Sequence, residues 1–121
     1  AGWRDIGSRH LYFRSKWEAN YCLYLQWQKE QGMIYDWEHE PFTFWFLEIK
    51  RGVRSYLPDF KVWPTSEKHY WVEVKGWMDP KSKTKIKRLK KYFPHERLEI
   101  ITSEWFKKNN HLMRNLIRDW E

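Results

Sequence analysis

Cysteine occurs once in these 121 residues, at Cys22. No internal disulfide can form, and a cysteine-rich zinc site is excluded. A lone thiol fits a reducing, cytoplasmic or nuclear setting. No apolar run approaches the roughly 20 residues that a membrane-spanning helix requires, and no signal-peptide pattern stands at the start. The five histidines show no metal-binding spacing, and no serine or cysteine stands in a nucleophile set. Repeats, linkers and low-complexity stretches are missing as well, so the length predicts one domain over residues 1–121.

Large rings and positive charge are abundant. Aromatics make up 20% of the chain, with ten tryptophans. That is more ring than one small core can hold, and exposed rings can stack on unpaired bases. The net charge is +7 and the sequence pI about 9.5. This balance favours a polyanionic partner without separating DNA from RNA or from an anionic membrane.

The densest chemistry lies between Tyr56 and Gly76. Tyr56 to Val62 and Tyr70 to Lys75 read as strands, with a loop from Pro64 to His69 between them. Alternation puts Phe60, Val62, Val72 and Val74 on the buried side, leaving Asp59, Glu73 and Lys75 to converge on the other. Pro58 inside a strand suggests an edge or a bulge that re-aims Asp59. Paired carboxylates repel unless a cation stands between them, and hard divalent cations take oxygen ligands. The neighbouring lysine reaches an attacking water or a phosphate oxygen. Together they suffice for metal-assisted phosphodiester hydrolysis.

Pro58-Asp59 followed by Glu73-Val74-Lys75 resembles the signature of the PD-(D/E)XK nuclease superfamily. The continuation into Gly76-Trp77 resembles the small phage nucleases of the endonuclease I type, which resolve Holliday junctions. The resemblance spans roughly residues 11 to 105. It implies that Asp59, Glu73 and the Val74 carbonyl bind Mg²⁺ (or Mn²⁺), and that Glu18 completes or shares a second site. It also implies that Lys75 orients the attacking water or stabilises charge on the phosphorane. The setting it implies is the cytoplasm of a bacterial or phage-infected cell.

The rest of the chain supplies the frame. Residues 1–14 are expected to be a basic arm with little regular structure. Ser15 opens a helix that ends at Gln31-Gly32, and Ser15 with Glu18 forms a capping box, a structural role competing with metal binding. Strands are expected over 33–37 and 41–49, with a turn at Lys50-Arg51-Gly52. Glu40 could stand behind the site. Asp79 and Pro80 open a second helix. Its residues Lys81, Lys83, Lys85, Lys87, Arg88, Lys90 and Lys91 place seven cations in eleven positions with no acid among them. Such runs are usually solvated faces, but here nothing compensates the repulsion, and an anionic ligand would. A strand over 98–102 with Ile100 and Ile101 central, a short helix at Glu104 and a last one from His111 to Trp120 complete the chain. Leu112, Leu116 and Trp120 are expected to point inward.

The expected fold is therefore α/β, a mixed central sheet flanked by helices. By resemblance its core is that of restriction endonucleases. The expected function is a Mg²⁺-dependent DNA endonuclease selective for branched DNA. A homodimer would match a junction's two-fold symmetry, with Trp3, Tyr12, Trp45 and Trp120 available for an interface. A transposase- or homing-type endonuclease is the nearest alternative. A non-catalytic nucleic-acid-binding module is the other, but it has no need of carboxylates facing phosphate.

Overall fold

The computed structural model describes residues 1–121. It begins with a hairpin of β1 (Gly2–Ile6) and β2 (Arg9–Phe13), turning at Gly7 with φ of 62°. The arm expected over 1–14 is thus an ordered ribbon, and Ile6 and Phe13 anchor it in the main core. Its alternation is masked in the sequence because the outward face is aromatic too: Trp3 stacks on His10 and meets Tyr12 edge-on.

Helix α1 (Lys16–Glu30) starts where expected, with the Ser15 side chain accepting from the Glu18 N–H at 3.1 Å. Such a cap is worth about 1 kcal/mol. The second half of the capping box is different, since the Glu18 carboxylate accepts from the Arg14 N–H rather than that of Ser15. Gln31 ends the helix and Gly32, at φ 75°, turns the chain. Strand β3 (Ile34–His39) follows.

The segment expected as one strand over 41–49 contributes only β4 (Phe44–Trp45), which pairs with β5 (Ser55–Tyr56) around Gly52 at φ 75°. Phe44, Phe46 and Tyr56 fold down onto Trp71 and Leu89 to make a second small core, and this pulls the ribbon off the main sheet. Tyr56 and Val62 consequently belong to different strands. Pro58 is buried in the link between them, not at a bulge within one.

Strands β6 (Phe60–Pro64), β7 (Tyr70–Val74) and β8 (Leu98–Ile101) join β3 in a four-stranded sheet of order β3-β6-β7-β8. The first three are antiparallel and β8 runs parallel to β7, so the sheet is mixed. Between β7 and β8 lies α2 (Pro80–Tyr92). Its cap is the Asp79 carboxylate, accepting from the Ser82 N–H at 2.7 Å, with Pro80 in the first turn. The last element is a single helix, α3 (Ser103–Leu116), rather than the two expected. Its cap residue is Thr102. Phe106, Met113 and then Ile117 and Trp120 form the inward stripe, while Leu112 and Leu116 face solvent. Trp120 is therefore unavailable for an interface. Ile100, on the edge strand β8, is exposed, while Ile101 is buried.

Phe60, Val62, Val72 and Val74 pack with α1 and α3 residues on one face. Trp71 packs with the ribbon and Leu89 of α2 on the other. The architecture is α/β, a mixed sheet between helices. No helix is long and apolar enough to cross a membrane.

Candidate active site

The β6–β7 register pairs Phe60 with Val72. Continued by one residue, it sets Asp59 opposite Glu73 where the ladder ends. It ends there because the next position is Pro58, which has no N–H to offer. The Asp59 carboxylate accepts from the Val74 N–H at 2.7 Å. On its other side the Asp59 carbonyl accepts from the Glu40 N–H at 2.8 Å. Glu40 itself sits at φ 47°, a left-handed conformation that non-glycine residues hold only when their surroundings enforce it. Glu18 arrives from the first turn of α1. It is 5% exposed and lies beside Asp59, whose carboxyl it helps to raise.

Glu18, Asp59, Glu73, Val74 and Lys75 all line one open cleft of about 440 Å³ between the first turns of α1 and α2. Every residue expected in the metal site is therefore in one place. Their electrostatics are unfavourable as they stand. Burial, with Glu73 and Glu18 adding to it, pushes the Asp59 carboxyl up to about 9. Burial also raises Glu73, against the pull of the Tyr56 hydroxyl and of Lys75 and Lys85. Carboxyls directly opposite on adjacent strands destabilise one another, and a divalent cation removes that repulsion. The donor set is all oxygen and fits Mg²⁺ or Mn²⁺. Asp59 and Glu73, with the Val74 carbonyl beside them, would hold such an ion, and Glu18 would close the set.

Lys75 lies at the end of β7, its N–H tied to the Ile101 carbonyl at 2.9 Å. Its ammonium is 3.7 Å from the Asp79 carboxylate, which also caps α2. The next residue must be glycine, since a Cβ on Gly76 would lie 2.4 Å from the Trp17 ring, itself stacked on Phe106. This end of β7 is therefore clamped.

The seven basic residues of α2 divide three ways. Lys85 is half-buried in the cleft beside Glu73. Arg88 donates to the Val53 carbonyl and so fastens the β4–β5 ribbon. Lys81, Lys83, Lys87, Lys90 and Lys91 are exposed. Lys83, Lys87 and Lys91 form one row at helical spacing. Changing all three to glutamine is expected to weaken DNA binding and to flatten its dependence on salt by up to about 2.7 log units per decade. Fluorescence anisotropy across a salt series measures this, and an unchanged slope would make the row a merely solvated face.

Two contributors, Tyr56 and His39, were missed in the sequence. The Tyr56 hydroxyl donates to Glu73 at 2.7 Å. Burial and Glu73 hold that hydroxyl far above its ordinary range, so it remains a donor. The His39 imidazole meets Glu18 at 2.9 Å, enclosed by Phe13 and Phe60. Glu40, expected only behind the site, comes within 3.4 Å of His39. Glu18, His39 and Glu40 offer ligand atoms within 4.8 Å of one another. The available signal for His39 was its alternation with the buried Trp37 along β3, since linear spacing of histidines cannot register neighbours across a sheet.

No protein-family model, no curated protein and no solved structure matches this chain.

Proposed function

We propose that this chain is a metal-dependent endodeoxyribonuclease with a restriction-endonuclease-like core of the PD-(D/E)XK type, acting on branched DNA. The observation that carries the reading is the convergence of Glu18, Asp59, Glu73 and Lys75 in one cleft bordered by the basic helix α2. A binding module gains nothing from buried carboxylates facing phosphate, and their mutual repulsion would weaken both its fold and its affinity.

A divalent ion bound there supplies Lewis-acid polarisation of the phosphoryl group and a lowered pKa for water. The chain's own residues do the remainder. Tyr56 fixes one oxygen of Glu73, and the Val74 N–H fixes one oxygen of Asp59. His39 and the Arg14 N–H hold the Glu18 carboxylate at the lip of the cleft. Lys75 places a positive Nζ where it can orient the attacking water or offset charge on the phosphorane. Lys85 lies beside Glu73, positioned to meet a phosphate oxygen. Attack of water on phosphorus then breaks the phosphorus–oxygen bond of the backbone. Cutting both strands of a junction needs two such sites, so the working form is a homodimer. Trp3, Tyr12 and Trp45 remain exposed for that contact.

The test is cleavage of a four-way junction beside a matched linear duplex, each with Mg²⁺, Mn²⁺, Ca²⁺ or EDTA. Cleavage is expected with Mg²⁺ and Mn²⁺ and a preference for the junction. Ca²⁺ should permit binding with little cleavage, being larger and looser in geometry. Full activity in EDTA would defeat the metal site. Equal cleavage of both substrates would remove the selectivity for branches.

A further inference from the structure

Trp77 stands on the rim of the same cleft as Glu73 and Lys75, and its residue is 74% exposed. Like Trp45 on β4, outside this cleft, it pairs with no other ring, whereas the exposed Trp3 rests on His10 and Tyr12. Burying an indole is among the larger hydrophobic gains open to a side chain, so an unpartnered one beside reactive groups is a surface prepared for something flat.

Its support is rigid on both sides. Gly76 is pressed against the Trp17 ring, and two residues beyond Trp77 the chain is fixed by Asp79 capping α2. Trp77 is thus presented at a set distance from Lys75, with only two side-chain torsions left to freeze on binding. Two residues of chain span at most about 7 Å, about two base steps at ~3.4 Å each along one strand. Lys75, Lys85 and Arg14 line the same cleft and attract phosphate.

We infer that Trp77 forms a base-stacking subsite that accepts an unpaired DNA base next to the phosphate held at Lys75. Inside a duplex both faces of each base are covered by neighbours, so an uninterrupted helix offers the ring nothing. A branch point, fork or flap does. Trp77 is on this view the specificity-determining residue that makes branched DNA the substrate class. The inference rests on the nuclease reading for what the cleft does to the strand, but not for the stacking itself.

The experiment uses oligonucleotides carrying 2-aminopurine as the unpaired base of a fork, a matched duplex as control, and wild type, Trp77→Ala and Trp77→Phe in EDTA. Working without metal keeps binding separate from cleavage. Wild type and Trp77→Phe are expected to quench the 2-aminopurine and to favour fork over duplex. Trp77→Ala is expected to lose the quench and about tenfold or more of the fork-over-duplex ratio, the effect of deleting one base–ring stack. Its affinity for matched duplex should be unchanged. Because the ring is exposed, unchanged thermal melting should show that the fold survives the substitution. Retention of both quench and ratio in Trp77→Ala would overturn the inference, as would absence of DNA binding by wild type. Loss of the ratio in Trp77→Ala in a protein that never cleaves would support the subsite while defeating the nuclease reading.

Discussion

Asp59→Asn is expected to abolish cleavage and, in the same protein, to raise the melting temperature measured in EDTA. On the proposed assignment the loss of activity follows from removing a charged oxygen that would hold the metal. Metal assistance contributes several kcal/mol to such reactions, and each 1.36 kcal/mol is a factor of ten in rate, so a fall on the order of a thousandfold is expected. The gain in stability follows from the cluster's electrostatics. The Asp59 carboxyl ordinarily titrates near 3.8 and is raised to about 9 in the fold. Between those values the folded state retains a proton that the unfolded state has lost. Metal-free stability therefore falls as pH rises from about 4 through about 9, by proton linkage. Asparagine has no charge to desolvate and keeps an oxygen for the Val74 N–H, so its midpoint should sit a few degrees higher at neutral pH and vary less with pH. Added Mn²⁺ should raise the wild-type midpoint, because a ligand of the folded state stabilises it, and should leave the variant unmoved. Thermal melting by circular dichroism with and without metal checks all of this. A lower midpoint for Asp59→Asn in EDTA would make Asp59 a structural residue whose bond to Val74 is what matters.

Lys75→Met is expected to lower single-turnover cleavage by about 10²–10⁴, the range for losing a positioned proton-transfer or charge-stabilising group. DNA affinity should change by no more than one phosphate contact. Its ammonium is 3.7 Å from Asp79, and both side chains are about one third exposed, at 33% and 34%. An ion pair that open to water contributes little to stability, so the fold should survive. Asp79→Asn is the companion variant. Asparagine still caps α2 but frees the lysine, so cleavage should persist with a changed pH profile. Unimpaired cleavage by Lys75→Met would leave the lysine as nothing more than the partner of Asp79.

The grouping of Asp59, Glu73 and Lys75 in one cleft was readable from the sequence because these residues lie in two short stretches with strand alternation. Buried Phe60, Val62, Val72 and Val74 fix where Asp59 and Glu73 must point. Glu18 was reachable only through resemblance, because capping explains a glutamate at that position equally well. In the fold its N–H does meet Ser15, while its carboxylate turns instead to Arg14, His39 and Asp59. Tyr56 and His39 were illegible for a common reason. Tyr56 reaches Glu73 from one sheet to another and His39 reaches Glu18 on a helix, and neither contact has a fixed sequence separation. The N-terminal ribbon was hidden by aromatics on both of its faces. The phase of α3 was set by Phe106 and Met113, against a reading that chose the equally apolar Leu112 and Leu116. Arg88 shows the limit of counting charge, since one cation of the basic run is spent on a backbone carbonyl.

The most direct measurement is the position of Mn²⁺ by its anomalous scattering in crystals of the wild-type protein. A peak bounded by Asp59, Glu73 and the Val74 carbonyl, and missing from crystals of Asp59→Asn, is the expected result. Mn²⁺ found only against Glu18, His39 and Glu40, or bound elsewhere on the protein with this cleft empty, would contradict the assignment of the metal site.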